Sequence, residues 1–211
     1  MSATVPHMHL PFGVARRFGL ACAVAASAAF AAAPALARTV KIVVIGDSNV
    51  AGTGVASSET YPAQLEAALR ARGLDVSVSN QGINGEVSGT TAGRSASIGS
   101  DTDIVVYWQG CRNDERWGGS MEACRANTAA ALTALAARGI AAYPIRPPVY
   151  DRSMHKSAAL TLGGRGKTID YRDGRGPVPD GHLNGAGYAV LVKRTLEPIG
   201  KLVVAAQKKK G

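Results

Sequence analysis

Short β-branched runs alternate with helix-period segments from Val40 onward, and this alternation limits the fold more than any other feature. Val40 to Ile45 (Val-Lys-Ile-Val-Val-Ile) is an apolar run closed by Gly46. Leu74 to Val78, Asp103 to Trp108 and Ile140 to Ile145 read as further strands. Between them, Tyr61 to Arg72 places Leu65, Ala68 and Leu69 at helical spacing and stops at Gly73. A long alanine-rich helix is expected to open at Ser120 and end at Arg138-Gly139. Leu183 to Ala205 predicts a last helix, which Pro198 is expected to kink or end. Strands in this rhythm imply a parallel sheet covered by helices on both faces. The expected architecture is therefore α/β, a three-layer α/β/α sandwich in one domain, with functional groups at the carboxyl ends of the strands.

The segment before this pattern has a different composition. Residues 1–37 hold Arg16 and Arg17, no acid, 13 alanines and all three phenylalanines. An unbroken small and apolar run from Phe18 to Ala33 leads to Pro34 and Ala35-Leu36-Ala37. Positive start, apolar middle and small-x-small end predict a secretory signal peptide cleaved after Ala37. The run is shorter than the roughly 20 residues a spanning helix needs, so no stable membrane span is expected after cleavage. Removing 37 of 211 residues leaves a 174-residue mature protein, expected in the periplasm or secreted. An oxidising compartment allows disulfides. Beyond Cys22 the chain has only Cys111 and Cys124, so a bond between them is expected on compartment alone. With so few Cys and His, a metal centre needing several such ligands is nearly excluded, and no cofactor is expected.

Past Ala37 there are 22 cations and 15 acids, a balance of +7. Much of the excess lies in Arg146 to Gly176, with seven cations (Arg146, Arg152, Lys156, Arg165, Lys167, Arg172, Arg175) against Asp151, Asp170 and Asp173. The stretch is rich in Gly and Pro and follows a strand. It reads equally as a solvated basic loop or as a charged lip for an anionic substrate, with Arg146, Arg152 and Lys156 as candidate binding residues. No feature points to nucleic acid, and none sets an oligomeric state.

Four loops carry the residue types of acyl chemistry. The first strand runs into Gly46-Asp47-Ser48-Asn49, where a serine past a strand's carboxyl end opens a turn into a helix. Such a serine is a candidate nucleophile, and a helix N-terminus behind it would favour developing negative charge; the plainer alternative is a helix cap. After the second strand comes Asn80-Gln81-Gly82-Ile83-Asn84-Gly85, where a glycine lets backbone approach a ligand. After the third comes Gln109-Gly110-Cys111-Arg112-Asn113-Asp114, with a side-chain amide suited to an oxyanion. Before the last helix comes Pro179-Asp180-Gly181-His182-Leu183-Asn184. His155 lies in the basic loop with no local carboxylate, whereas His182 follows Asp180, so His182 is the better candidate base.

This ordered set of Ser, Gly, Asn and Asp/His, from about Thr39 to Gly200, resembles the SGNH hydrolases, or GDSL esterase and lipase family. It is most similar to the branch of small periplasmic thioesterases and arylesterases, where Tyr61-Pro62-Ala63-Gln64-Leu65 also has counterparts. The resemblance implies a flavodoxin-like fold, Ser48 as nucleophile, His182 as base, Asp180 as its orienting acid, and an oxyanion hole of the Ser48 amide, the Gly82 amide and the Asn113 side chain. Three departures stand out. Asn49 replaces an aliphatic residue, two residues separate Gly110 from Asn113, and only Gly181 separates Asp180 from His182.

The function expected from these residues is an exported serine esterase cleaving acyl, acetyl or thioester bonds through an acyl-enzyme on Ser48. Its partner would be a small-molecule or glycan or lipid ester, favoured if anionic by the basic loop. Transfer of the acyl group to a sugar hydroxyl is one alternative, and a catalytically weak anionic glycan- or lipid-binding module is another. The scarcity of aromatic residues argues against a large greasy tunnel.

Overall fold

The computed structural model describes residues 1, 38–109, 111–145, 168–169, 177–178 and 182–209. Four parallel strands form the sheet: β1 (Val40–Gly46), β2 (Val76–Gly82), β3 (Ile104–Trp108) and β4 (Ala141–Pro144), in the order β2-β1-β3-β4. Val40 sits opposite Val76, and Gly46 lies between Gly82 and Trp108, so three strands end level with one another. Two residues each in β5 (Thr168–Ile169) and β6 (Pro177–Val178) pair antiparallel.

Alternation along β1 divides the core. Val40, Ile42 and Val44 face α2 (Tyr61–Ala71) and α6 (Gly185–Lys209), packing with Leu65, Leu69, Leu191, Ile199 and Val203. Val43 and Ile45 face the opposite layer, with Ile98, Ala131, Leu135 and Ile140. There α3 (Ser88–Ala96) and α5 (Met121–Ala137) lie side by side. Burying each such Leu or Ile stabilises by roughly 1.5–3 kcal/mol, so the three layers follow from the period-two apolar pattern of the central strands. Among the described residues, no helix is long and apolar enough to cross a membrane.

The helix starts are set by side chains. Thr60 Oγ1 accepts from the Ala63 N–H ahead of α2, and Ser120 Oγ accepts from the Ala123 N–H ahead of α5. Three elements differ from the sequence expectation. β2 begins at Val76 rather than Leu74 and runs on to Gly82, because Leu74 still closes α2 through an N–H bond to Leu69 O. Its polar Ser79, Asn80 and Gln81 are tolerated because β2 is a sheet edge. α3 was not expected from Ser-Gly-Thr-Thr-Ala-Gly-Arg-Ser-Ala. It forms because Asp114 accepts from the Ser88 N–H and the small buried faces of Ser88, Thr91 and Ser95 fit beneath α5. α6 continues through Pro198 to Lys209, since Leu191, Thr195, Ile199, Gly200 and Val203 are all buried against the sheet. Tertiary burial outweighs the one lost ladder bond.

Candidate active site

Ser48 is the first residue of α1 (Ser48–Ala51), directly after β1. Asp47, 2% exposed, caps this turn by accepting from the Asn49 N–H at 2.9 Å. The serine is therefore not the cap, and its hydroxyl is left for other work. α1 is only four residues long, so its dipole is weaker than the sequence suggested. Gly46 is required beneath it, because a Cβ there would lie 1.8 Å from Trp108 O. The Trp108 ring meets Tyr61 and Tyr188 edge-on at 5.6 and 6.2 Å, giving the turn a rigid aromatic floor. Tyr61 hydroxyl pairs with Thr195 Oγ1 at 2.8 Å, and Thr195 itself donates to Leu191 O, so the phenol is the donor. Burial pushes the Tyr61 phenol well above its ordinary range, so it stays neutral.

His182 approaches from the far end of the chain. Its Nε2 lies 2.7 Å from Ser48 Oγ, across 134 residues of sequence. The histidine is half-buried just before α6, and two contacts set the start of that helix. Asn184 Oδ1 accepts from the Gly187 N–H at 2.9 Å, and Gln64 Nε2 donates to both Glu59 O and Gly185 O. An imidazole nitrogen at this distance from a serine hydroxyl is placed to accept its proton.

Asn113 lies in α4 (Arg112–Arg116) and donates from Nδ2 to Glu86 O at 2.8 Å. Because Glu86 O can only accept, the amide is oriented, and its second N–H remains for a ligand. Gly82 is placed otherwise than expected. Its N–H donates to Asn80 Oδ1 at 2.9 Å, and a Cβ would lie 2.0 Å from Ala51 N. Gly82 thus admits the α1 backbone rather than a ligand. Gly85 has φ +76°, and a Cβ built there meets nothing within 4 Å. Its neighbours are fixed: Asn84 Oδ1 accepts from Thr53 Oγ1 at 2.7 Å, and the Glu86 N–H donates to Ile83 O.

Cys111 and Cys124 are disulfide-bonded, with Cα atoms 5.6 Å apart. Cys111 precedes α4 with φ +60°, a left-handed conformation unusual for a side-chain-bearing residue, so the bond holds the turn that presents Asn113. Closing this loop stabilises by about 3 kcal/mol in the chain-entropy picture. Reduction is expected to lower both melting temperature and kcat, and thiol titration before and after reduction checks this. Two titratable thiols in the unreduced protein would contradict it.

Asp180, Gly110, His155 and the basic-loop residues Arg146, Arg152 and Lys156 lie outside the described residues. Among the described residues, no three or more His, Cys, Asp or Glu side chains cluster to hold a metal ion. Sequence reasoning missed Glu86 and Arg94, whose side chains pair at 2.6 Å beside the glycine loop, and the Asp114–Ser88 contact at 2.5 Å. No spacing rule marks them, because each partner comes from a different loop or helix.

Comparison with solved structures finds the same architecture. The esterase EstA from Pseudoalteromonas sp. is 16% identical over 76% of this chain and 97% of its own, with a TM-score of 0.55. TesA is 20% identical over 77% and 99%, with a TM-score of 0.54. AlinE4, an SGNH-hydrolase family esterase, is 29% identical over 51% of this chain, with a TM-score of 0.46, and the match spans only 58% of that protein. No curated protein matches. Residues 44–190 match the GDSL-like Lipase/Acylhydrolase family, a stretch that takes in the end of β1 with Ser48, the glycine loop, Asn113 and His182. The chain belongs to this GDSL (SGNH) family of ester-bond hydrolases.

Proposed function

We propose that this chain is an exported serine esterase that opens acyl, acetyl or thioester bonds through an acyl-enzyme on Ser48. The 2.7 Å contact between Ser48 Oγ and His182 Nε2 carries the reading. In this mechanism His182 takes the serine proton as Oγ attacks the carbonyl carbon. The tetrahedral oxyanion is met by the Ser48 amide and by the free N–H of Asn113 Nδ2, with Gly85 rather than Gly82 as the glycine donor. His182 then returns the proton to the departing alcohol or thiol, and water, activated by the same imidazole, releases the acid. Asp180 orients the ring from its other nitrogen.

Export is supported by the signal-like residues 1–37 and by the Cys111–Cys124 bond, which suits an oxidising compartment. Cleavage before Arg38 would keep the contact of Arg38 with Asp103 at 2.5 Å. The basic loop of residues 146–176 would favour anionic esters.

A series of p-nitrophenyl esters of increasing acyl length tests the reading. kcat/KM is expected to be highest for acetyl and butyryl esters and to fall for long chains, since the chain offers little aromatic lining for a tunnel. Absence of turnover on every ester and thioester tried would overturn it.

A further inference from the structure

We propose that the part-buried Glu86–Arg94 pair is a positioning device for the oxyanion site, bracketing the glycine loop and aiming Asn113. The proposal rests on the reading of Ser48 as nucleophile.

Glu86 is tied at three levels. Its carboxylate is gripped by the guanidinium fork, with Arg94 Nε to Oε1 at 2.7 Å and the terminal nitrogen to Oε2 at 2.6 Å. Thr91 Oγ1 adds a third donor at 2.8 Å. Its peptide carbonyl accepts from Asn113 Nδ2 at 2.8 Å and from Gln109 Nε2 at 3.2 Å. Its N–H closes the turn onto Ile83 O at 3.2 Å. Arg94 also donates to Gln81 O at 3.0 Å. One arginine on α3 therefore holds both ends of the 82–85 loop, while the residue it grips orients the Asn113 amide.

Stability alone does not explain the pair. The Glu86 side chain is 2% exposed and that of Arg94 27%, and a buried ion pair is often no more stabilising than an apolar pair of the same volume. A bidentate fork differs in fixing distance and angle together. It also neutralises a carboxylate that would otherwise oppose negative charge developing nearby. An interaction that matters only when the oxyanion forms acts on kcat and leaves substrate binding alone.

The test uses the full oxidised protein. Ser48 sites are counted by end-point reaction with a fluorophosphonate, and kcat per counted site and KM are measured for p-nitrophenyl acetate. Arg94→Met is expected to lower kcat per site about 10- to 100-fold, the scale of a small misplacement at a reacting centre, with KM within about threefold. Arg94→Lys keeps the charge without the fork and should lose less. Thr91→Val, which removes one donor, should lose least. The phosphonylation rate should fall in the same order, because the phosphonyl oxygen occupies the same hole. A lower melting temperature and fewer reactive sites, with kcat per site unchanged across the series, would overturn the proposal. If Arg94→Met does not fold, Arg94→Lys and Thr91→Val decide the same question by the same measure. Full turnover in Ser48→Ala would overturn the nucleophile reading itself, an outcome distinct from a normal kcat in the Arg94 variants.

Discussion

Ser48→Ala is expected to lower ester turnover by about 10³-fold or more and to abolish fluorophosphonate labelling, while the fold is kept. The size of the effect follows from what the hydroxyl does and does not do here. It is not the cap of α1, because Asp47 accepts from the Asn49 N–H. It fills no part of the core, since the buried residue of this turn is Val50. Its interaction is with His182 Nε2 at 2.7 Å. Removing it should therefore shift stability by no more than about 1 kcal/mol, as for substitutions outside the core and caps. Turnover and stability should separate cleanly. Mass spectrometry of the labelled wild-type protein should place the phosphonyl group on Ser48. Labelling at another serine, or a variant within tenfold of wild-type kcat, would defeat the assignment.

The parts of this fold that the sequence made legible are those in which local chemistry and burial agree. Past the exposed Lys41, Ile42 to Gly46 is apolar on both faces because helices cover both faces. Thr60 and Ser120 stand at helix starts and bond there as caps. Legibility fails where a long-range contact decides. α3 has a composition that favours loops, and its start depends on Asp114, 26 residues away from Ser88. Pro198 was expected to kink or end the last helix, and with its face buried α6 does not end there but runs on to Lys209.

The site divides in the same way. Ser48 and His182 were legible because each follows or precedes a regular element at the strand-end side of the sheet. The glycine proposed as donor was not. Gly82 and Gly85 look alike in sequence, and only the packing of Gly82 on the α1 backbone and the open surroundings of Gly85 tell them apart. Glu86 was illegible because its working atom toward Asn113 is a peptide oxygen, which every residue has.

His182→Ala is expected to remove about 10³-fold or more of kcat, and Asp180→Asn only about 10- to 10³-fold. The larger effect falls on the base because His182 Nε2 lies 2.7 Å from Ser48 Oγ. The acid has a lesser task. In the proposed mechanism it would hold the imidazole in the tautomer whose Nε2 can accept the serine proton, and steady the imidazolium that results. Some of that orientation is built without it. Gln64 bonded to Gly185 O and Asn184 capping Gly187 fix the backbone that carries His182. Only Gly181 separates Asp180 from His182, and its backbone freedom suits a carboxylate that must reach the ring from so near in sequence. The graded pair of effects is read from kcat on one ester, with His155→Ala as the control expected to stay near wild type. Near-normal kcat in His182→Ala together with a dead His155→Ala would transfer the base to the basic loop. A neutral Asp180→Asn beside a dead Asp170→Asn would keep the serine and histidine and move the acid to Asp170.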